Sequence, residues 1–96
     1  MKLLSIGKSD KPEKKMKAVF ETDSGRTKTI HFGQASAPDY TITKDKEQRA
    51  RYLTRHQRNE DWNNPATAGS LSRHILWGNY SNRADNIRAY RSKFNL

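Results

Sequence analysis

Cysteine is absent from the 96-residue sequence, and so are long apolar runs. Without cysteine, the chain can form neither a disulfide bond nor a thiolate metal site. No apolar run approaches the roughly 20 residues that a membrane-spanning helix requires. The Leu3-Leu4 pair after Lys2 is too short for the apolar core of a signal peptide. We therefore expect a protein that is neither secreted nor membrane-spanning.

Acidic residues are few: 10 Asp or Glu stand against 19 Lys or Arg, which gives a net charge of +9. The cations form no isolated block of five or six, so they lie within patterned segments and not in a basic tail. Two explanations stay open: a well-solvated surface, or a surface that attracts a polyanion such as nucleic acid. Membrane-surface binding is not expected, because no basic amphipathic helix has bulky apolar residues on a free face.

The first third of the chain has the alternating pattern of strands. Apolar residues alternate with polar ones in three runs, which are Leu4 and Ile6, then Met16, Ala18 and Phe20, then Ile30 and Phe32. Asp23-Ser24-Gly25 is typical of a tight turn, since Gly25 can adopt the positive φ that a hairpin needs. We predict a two- or three-stranded antiparallel meander with one apolar face.

The rest of the chain predicts a loop and three helices. The loop covers residues 33–43, with Tyr40 and Ile42 as core anchors. The helices cover 44–58, 67–77 and 82–93. We expect helix caps at Thr43, Thr67 and Ser81, with Pro65 as an alternative start for the second helix, and a stop at Gly78.

Apolar spacing within the later helices predicts which residues face the core. The predicted buried positions are Ala68, Leu71, Ile75 and Leu76 in the second helix, and Ile87, Tyr90 and Phe94 in the third. Strands come first and helices follow, which is the α+β order. We therefore predict one small basic α+β domain over residues 1–96, with the meander packed against about three C-terminal helices.

A cationic ridge on the first helix is the most specific functional pattern. Its members are spaced 4, 3, 4 and 3 residues apart and are Lys44, Gln48, Arg51, Arg55 and Arg58. The alternative is a solvated helix face with an ion pair between Glu47 and Arg51. Adding arginines of the later helices to the cations of this ridge gives the candidate nucleic-acid-binding residues. They are Lys44, Arg51, Arg55, Arg58, Arg73, Arg88 and Arg91.

The aromatic residues in the connections have two interpretations. Trp62, Trp77 and Tyr80 lie in or beside connections between the predicted elements and could stack on nucleobases. The alternative, which we favour, is that they anchor the core of a domain that is short of apolar residues.

Catalytic chemistry is not indicated. The carboxylates are scattered through basic surroundings, and Ser70 with His74 has neither an oxyanion hole nor a third member. The three histidines are 25 and 18 residues apart, which matches no compact metal-ligand spacing. We expect His56 to pack beside Tyr52 at the edge of the core. We predict a protein that is not an enzyme and has no metal or other cofactor.

The chain as a whole resembles a family of small basic proteins of unknown function encoded by large double-stranded DNA viruses of algae and protists. The residues that carry the resemblance are Gly25-Arg26-Thr27-Lys28-Thr29, His31-Phe32-Gly33, Asp39-Tyr40-Thr41, Lys44-Asp45-Lys46, Arg51-Tyr52-Leu53, Arg55-His56, Glu60, Trp62, Thr67-Ala68-Gly69-Ser70-Leu71-Ser72-Arg73, Ile75-Leu76-Trp77-Gly78 and Phe94-Asn95-Leu96. Family members tend to have Gly-Tyr-Ser where Ser36-Ala37-Pro38 stands and Trp where His74 stands. The resemblance implies a viral or virus-derived origin and no particular activity.

These observations lead to two functional expectations. The first is a non-catalytic viral protein that binds nucleic acid, DNA in preference to RNA, mainly through phosphate contacts. The second is a virion structural protein, a minor capsid or core component, whose partners are other viral proteins. Both place the protein in the virion or in the infected host cell.

Overall fold

The N-terminal third forms a three-stranded antiparallel sheet in a computed structural model that describes residues 1–96. Its strands are β1 (Lys2–Lys8), β2 (Lys14–Glu21) and β3 (Thr27–Gln34), and β2 lies in the middle. Met16, Ala18 and Phe20 of β2 are all buried, as the alternation predicted. The predicted meander is therefore confirmed, with three strands.

A bulge in β1 changes which of its residues face the core. Leu3 lies opposite Phe20, whereas Ser5 lies opposite Val19, so Leu4 is an extra residue in the register. Because strand side chains alternate with a period of two, one extra residue moves the preceding positions to the other face. Leu3 is consequently buried and Leu4 is exposed. The prediction that Leu4 shares a face with Ile6 was wrong.

The segment that was predicted as a loop over residues 33–43 contains a one-turn helix, α1 (Tyr40–Thr43). The Asp39 carboxylate accepts a hydrogen bond from the backbone N–H of Thr41 and so caps the turn. Tyr40 is buried, as predicted, but Ile42 points to solvent with 58% of its surface exposed. The prediction of Ile42 as a core anchor was wrong, because α1 buries only one side of its single turn.

The next helix, α2 (Lys46–His56), is shorter than the predicted span of 44–58. Asp45, and not Thr43, is its cap, because the Asp45 carboxylate accepts hydrogen bonds from the backbone N–H groups of residues 47 and 48. Lys44 adopts a left-handed conformation with φ of 56° and ends α1. The chain therefore turns at Lys44, and the helix cannot begin there.

Helix α3 (Ala68–Leu71) is capped by Thr67 and continues as a π-helical segment, Ser72–Leu76. This pair covers most of the predicted span of 67–77. Gly78 follows, and a Cβ atom there would lie 2.3 Å from the carbonyl oxygen of His74. Only glycine fits at this stop. Leu71, Ile75 and Leu76 are buried as predicted, but the prediction of a buried Ala68 was wrong, because Ala68 begins the helix on its exposed side.

The last helix, α4 (Arg83–Phe94), begins one residue later than predicted. Its cap is Asn82 and not Ser81, since the Asn82 side chain accepts a hydrogen bond from the backbone N–H of Asp85. The predicted core residue Tyr90 is almost fully buried, and Ile87 and Phe94 pack beside it as partly buried residues.

One core joins the sheet to the later helices. The largest fully buried apolar side chains come from the sheet, from α3 with its π-helical segment and from α4, and they are Phe20, Phe32, Leu71, Ile75, Leu76 and Tyr90. Helix α2 contributes one buried residue, Tyr52. The observed architecture confirms the predicted α+β class. No helix has the length and apolarity needed to cross a membrane.

Candidate nucleic-acid interface

Three arginines lie on the exposed side of α2 and on the turn that follows it. Arg51, Arg55 and Arg58 are all exposed, and none of them makes a hydrogen bond or an ion pair in the structure. The alternative pair between Glu47 and Arg51 does not form. We call these three residues the arginine face.

Two members of the predicted ridge do not belong to this face. Lys44 lies before α2, and its ammonium group is near the carbonyl oxygens of Thr41 and Ser81, at 3.4 and 3.3 Å. Gln48 is partly buried, and its side-chain oxygen accepts a hydrogen bond from the Thr43 hydroxyl at 2.9 Å. The predicted ridge of five is therefore a face of three, because Lys44 precedes the helix and Gln48 is bound to Thr43.

The Arg73 side chain is held by contacts within the fold. Its guanidinium carbon lies 5.2 Å from the centroid of the Trp62 ring, and Nη1 donates a hydrogen bond to the carbonyl oxygen of Trp77 at 3.2 Å. Burial, together with the nearby charge of Arg49, lowers the pKa of the Arg73 guanidinium. Its Nε atom is buried without a hydrogen-bond partner. Arg73 is therefore not presented to a ligand as the members of the arginine face are.

The two candidate arginines of α4 also stand apart from the arginine face. Arg88 forms an ion pair with Asp85 one turn earlier. Arg91 is partly buried and makes no ion pair. Of the seven predicted binding residues, the structure thus brings together Arg51, Arg55 and Arg58, and it places the other four in separate environments.

A cleft opens beside the arginine face, between α2 and the end of the sheet where β2 begins and β3 ends. Its volume is about 450 Å³, and its lining includes Lys14 at the start of β2 and Arg55 of the arginine face. The side chains of Gln48 and Ser72 also line this cleft. We call this cavity the α2 cleft. Sequence reasoning missed the participation of Lys14, because Lys14 and Arg55 are brought together only by the fold.

Three stacked rings line one wall of the α2 cleft. The Tyr52 ring lies between those of His56 and Trp77, with centroid distances of 4.1 and 4.2 Å and interplanar angles of 24° and 7°. Burial raises the pKa of the Tyr52 hydroxyl. The predicted packing of His56 beside Tyr52 is confirmed. The core-anchor interpretation is confirmed for Trp77, which is buried, but it was wrong for Tyr80, which is exposed.

Glu60 fixes the outer end of this stack. Its Oε2 atom lies 3.0 Å from Nδ1 of His56, and its Oε1 accepts a hydrogen bond from Nε1 of Trp62 at 2.8 Å. Gly69 leaves the necessary space, because a Cβ atom there would lie 2.9 Å from the Glu60 carboxyl carbon. Sequence reasoning named Glu60 only among the residues of the family resemblance and gave it no role, although its position four residues after His56 indicated a contact.

A buried charge network lies at the other side of the α2 cleft. The Asp39 carboxylate forms ion pairs with Lys15 at 2.6 Å and with Arg83 at 3.2 Å. Burial by itself would raise the pKa of Asp39, but hydrogen bonds from Lys15 and Thr41 and the two positive charges outweigh it, so its pKa lies below the ordinary value. Lys15 and Arg83 are therefore engaged within the fold.

The remaining histidine near this region, His74, is also structural. Its Nε2 atom lies 2.9 Å from the carbonyl oxygen of Trp62, and its ring packs against Phe94. Burial lowers the pKa of His74 in spite of that hydrogen bond. No group of three or more His, Asp or Glu side chains is arranged to hold a metal ion.

Comparison with known proteins places the chain in a family. The model of a family of unknown function, DUF5754, matches residues 4–56, more than half of the chain. The chain belongs to the DUF5754 family. A relative, the uncharacterized protein L851 of Acanthamoeba polyphaga mimivirus, is 35% identical over 81 residues, which cover 77% of this chain and 80% of that protein. No solved structure matches.

The family match bears on both the fold and the candidate site. Its 53 residues run from Leu4 of β1 to the end of α2 and include β2, β3, Asp39, and Arg51 with Arg55. The resemblance inferred from the sequence motifs is confirmed for a family of unknown function with a relative in a giant DNA virus. The viral origin of this chain itself stays a proposal.

Proposed function

We propose that this DUF5754 protein is a non-catalytic viral protein that binds nucleic acid, DNA in preference to RNA, mainly through phosphate contacts. The observation that carries the proposal is the arginine face, three exposed guanidinium groups with no acidic partner in a molecule of net charge +9. A guanidinium group offers several N–H donors in a planar fork that matches phosphate oxygens.

The spacing of the arginine face suits a charged backbone. Arg51 and Arg55 are one turn apart on α2, about 6 Å along its axis, and Arg58 follows in the turn after the helix. Each strand of DNA carries a phosphate about every 3.4 Å along the axis. The face is therefore long enough to contact several phosphates at once. Asp45 caps α2 and Glu47 lies in its first turn, whereas Arg55 lies in its last turn, where the helix dipole favours a cation.

The test is binding to mixed-sequence duplex DNA, measured by fluorescence anisotropy at low and moderate salt. We expect binding that weakens steeply as salt rises. Replacing Arg51, Arg55 and Arg58 together by Ala should weaken binding at low salt and flatten the plot of log affinity against log salt by about two to three units, close to one per lost phosphate contact.

A matched control replaces three other exposed cations that make no ion pair: Lys2, Arg26 and Lys93. This control changes the net charge by the same amount, and Lys2 and Arg26 lie at the far end of the sheet from the α2 cleft. Equal weakening in the two variants would indicate attraction by net charge alone. Absence of any binding at low salt would contradict the proposal.

A second candidate function is a virion structural role through protein contacts. It is supported by two exposed apolar side chains on adjacent segments, Ile42 of α1 and Tyr80, which is 52% exposed. The contact between the Lys44 ammonium group, just after α1, and the carbonyl oxygen of Ser81 shows that the two segments are adjacent. Recovery of the protein with the shell fraction of purified virus particles, combined with no DNA binding, would favour this second candidate.

A further inference from the structure

We propose that the α2 cleft receives an unpaired base of a single-stranded nucleic acid, which stacks on His56 while the flanking phosphates contact Arg55 and Lys14. This inference rests on the proposed function and names the form of nucleic acid that the site takes. Stacking on an aromatic ring is the usual way in which proteins hold unpaired bases, and it is combined with cations that follow the phosphates.

The stacked rings form a rigid platform. The Tyr52 ring is covered on its two faces by His56 and Trp77, so His56 is the outer end of the stack. Its side chain is 38% exposed and lines the α2 cleft. A planar base that lies on the outer face of His56 would extend the stack by one ring, which needs no rearrangement of the protein.

The hydrogen bond to Glu60 holds the platform in orientation. With Nδ1 of His56 bound to the carboxylate and one ring face against Tyr52, the imidazole cannot rotate about its side-chain bonds without losing one of these contacts. A ligand therefore finds the ring already ordered. Preorganisation of this kind improves affinity, because the entropy of ordering has been lost on folding and not on binding.

Two free cations flank the cleft on opposite walls. Arg55 extends from α2, and Lys14 extends from the first residue of β2. Neither of them makes an ion pair, whereas Lys15, the next residue of β2, is bound to Asp39. A strand whose base enters the cleft would have its backbone at the rim, within reach of both walls.

The interior of the cleft offers no free cation, because Lys15, which lines it, is paired with Asp39. The Glu60 carboxylate also lines the cleft and would repel a phosphate that entered deeply, whereas the charge of Asp39 is compensated by Lys15 and Arg83. Gln48 and Ser72 offer side-chain hydrogen bonds to the edge of a base. A duplex cannot fill this site, because its bases are already paired and stacked. The site therefore distinguishes a single strand from a duplex.

The experiment uses the complete protein and three probes at one low salt concentration. The probes are a thymidine strand of about 12 nucleotides, an abasic strand with the same number of phosphates, and a mixed-sequence duplex of the same length. Fluorescence anisotropy measures the affinity for each probe. We expect the thymidine strand to bind at least fivefold more tightly than the abasic strand, because only the former has bases to stack.

Substitution of the platform gives the second arm. His56→Ala should weaken binding of the thymidine strand by about fivefold to 100-fold and leave binding of the abasic strand unchanged. His56→Phe, which keeps a ring against Tyr52, should restore most of the loss. His31→Ala is the matched control, because His31 is bound to Ser9 on the sheet and does not line the cleft.

The outcomes separate this inference from the proposed function. Equal binding of the thymidine and abasic strands would overturn the stacking site and leave phosphate binding intact. If the His56→Ala variant binds the thymidine strand as tightly as the wild-type protein does, the stacking site is overturned as well. If none of the three probes binds at low salt, both the stacking site and the proposed function fail.

Discussion

Asn86 of α4 is a buried polar residue whose side-chain amide joins three parts of the backbone. Its Nδ2 atom donates hydrogen bonds to the carbonyl oxygens of Ile75 and Tyr80, each at 2.8 Å. Its Oδ1 atom accepts a hydrogen bond from the backbone N–H of Tyr80 at 2.9 Å. These bonds hold the connection between the π-helical segment and α4 in place. A Cβ atom at Gly78, within this connection, would collide with the same amide.

We expect Asn86→Ala to lower the free energy of unfolding by about 2–4 kcal/mol. The variant leaves backbone groups without their partners, and an unsatisfied buried polar group costs about 1–3 kcal/mol. Urea denaturation followed by circular dichroism measures the change. Asn59→Ala is the control, because Asn59 is exposed and its side chain makes no hydrogen bond, so its effect should stay within about 0.5 kcal/mol. Equal effects of the two substitutions would contradict this account.

At the scale of the element, Arg49 attaches α2 to the rest of the fold. Its Nε atom donates to the carbonyl oxygens of Trp77 and Gly78, and its Nη2 donates to the Asn79 side chain at 2.8 Å. The guanidinium carbon also lies 5.7 Å from the centroid of the Tyr40 ring. Arg51, two residues later, makes none of these contacts. Arg49 therefore attaches the helix to the fold, whereas Arg51 remains exposed to solvent.

We expect Arg49→Ala to lower the free energy of unfolding by about 1.5–3 kcal/mol, the usual contribution of hydrogen bonds to a charged group. Hydrogen exchange of the α2 backbone amides should accelerate in the same variant, because the helix loses its attachment. Arg51→Ala is the natural control and should change stability by no more than about 0.5 kcal/mol. A larger decrease in the free energy of unfolding for Arg51→Ala than for Arg49→Ala would contradict this assignment.

At the scale of the whole molecule, the Asp39 network joins the sheet, α1 and α4. Lys15 comes from β2, Asp39 precedes α1 and Arg83 begins α4. The side chains of Lys15 and Asp39 are only 7% and 1% exposed. Removing one member of a buried ion pair leaves the other without compensation, which is strongly destabilising.

We expect Asp39→Asn to lower the free energy of unfolding by about 3–5 kcal/mol near neutral pH. Because folding lowers the pKa of Asp39, its stabilisation is fully present above its unfolded-state pKa and is lost as pH falls through its folded-state pKa. The difference between the wild-type protein and the variant should therefore narrow when urea denaturation is repeated at decreasing pH.

Asp85→Asn serves as the control for this network, since the ion pair of Asp85 with Arg88 is exposed. Exposed pairs contribute about 0–1 kcal/mol, so Asp85→Asn should have a small effect at every pH. A difference between wild type and Asp39→Asn that stays constant down to low pH would show that the carboxylate charge is not the source of the stability.

Short-range patterns made much of the fold predictable. Alternation identified the buried residues of β2, and the 3.6-residue period identified Leu71, Ile75 and Tyr90. Element ends were less accurate, because several residues near each end can act as caps. Asp45 and Asn82 are the caps of α2 and α4, each a neighbour or near neighbour of the residue that was predicted.

The candidate site was less predictable than the fold. Sequence spacing identified Arg51, Arg55 and Arg58 as one face. Spacing also placed Lys44 on that face, although the turn at the end of α1 separates it from the helix. The bulge at Leu4 shows the same limit in the sheet, since one extra residue cannot be read from an alternating pattern.

By itself the sequence determined the excess of positive charge, the α+β order and the periodic residues of the core, because composition and local periodicity are properties of the chain alone. Only the tertiary structure decided which arginines remain free. Arg49 meets carbonyl groups 28 and 29 residues away, and Arg83 meets Asp39 44 residues away. Such partners are distant in sequence and are brought together only when the chain folds.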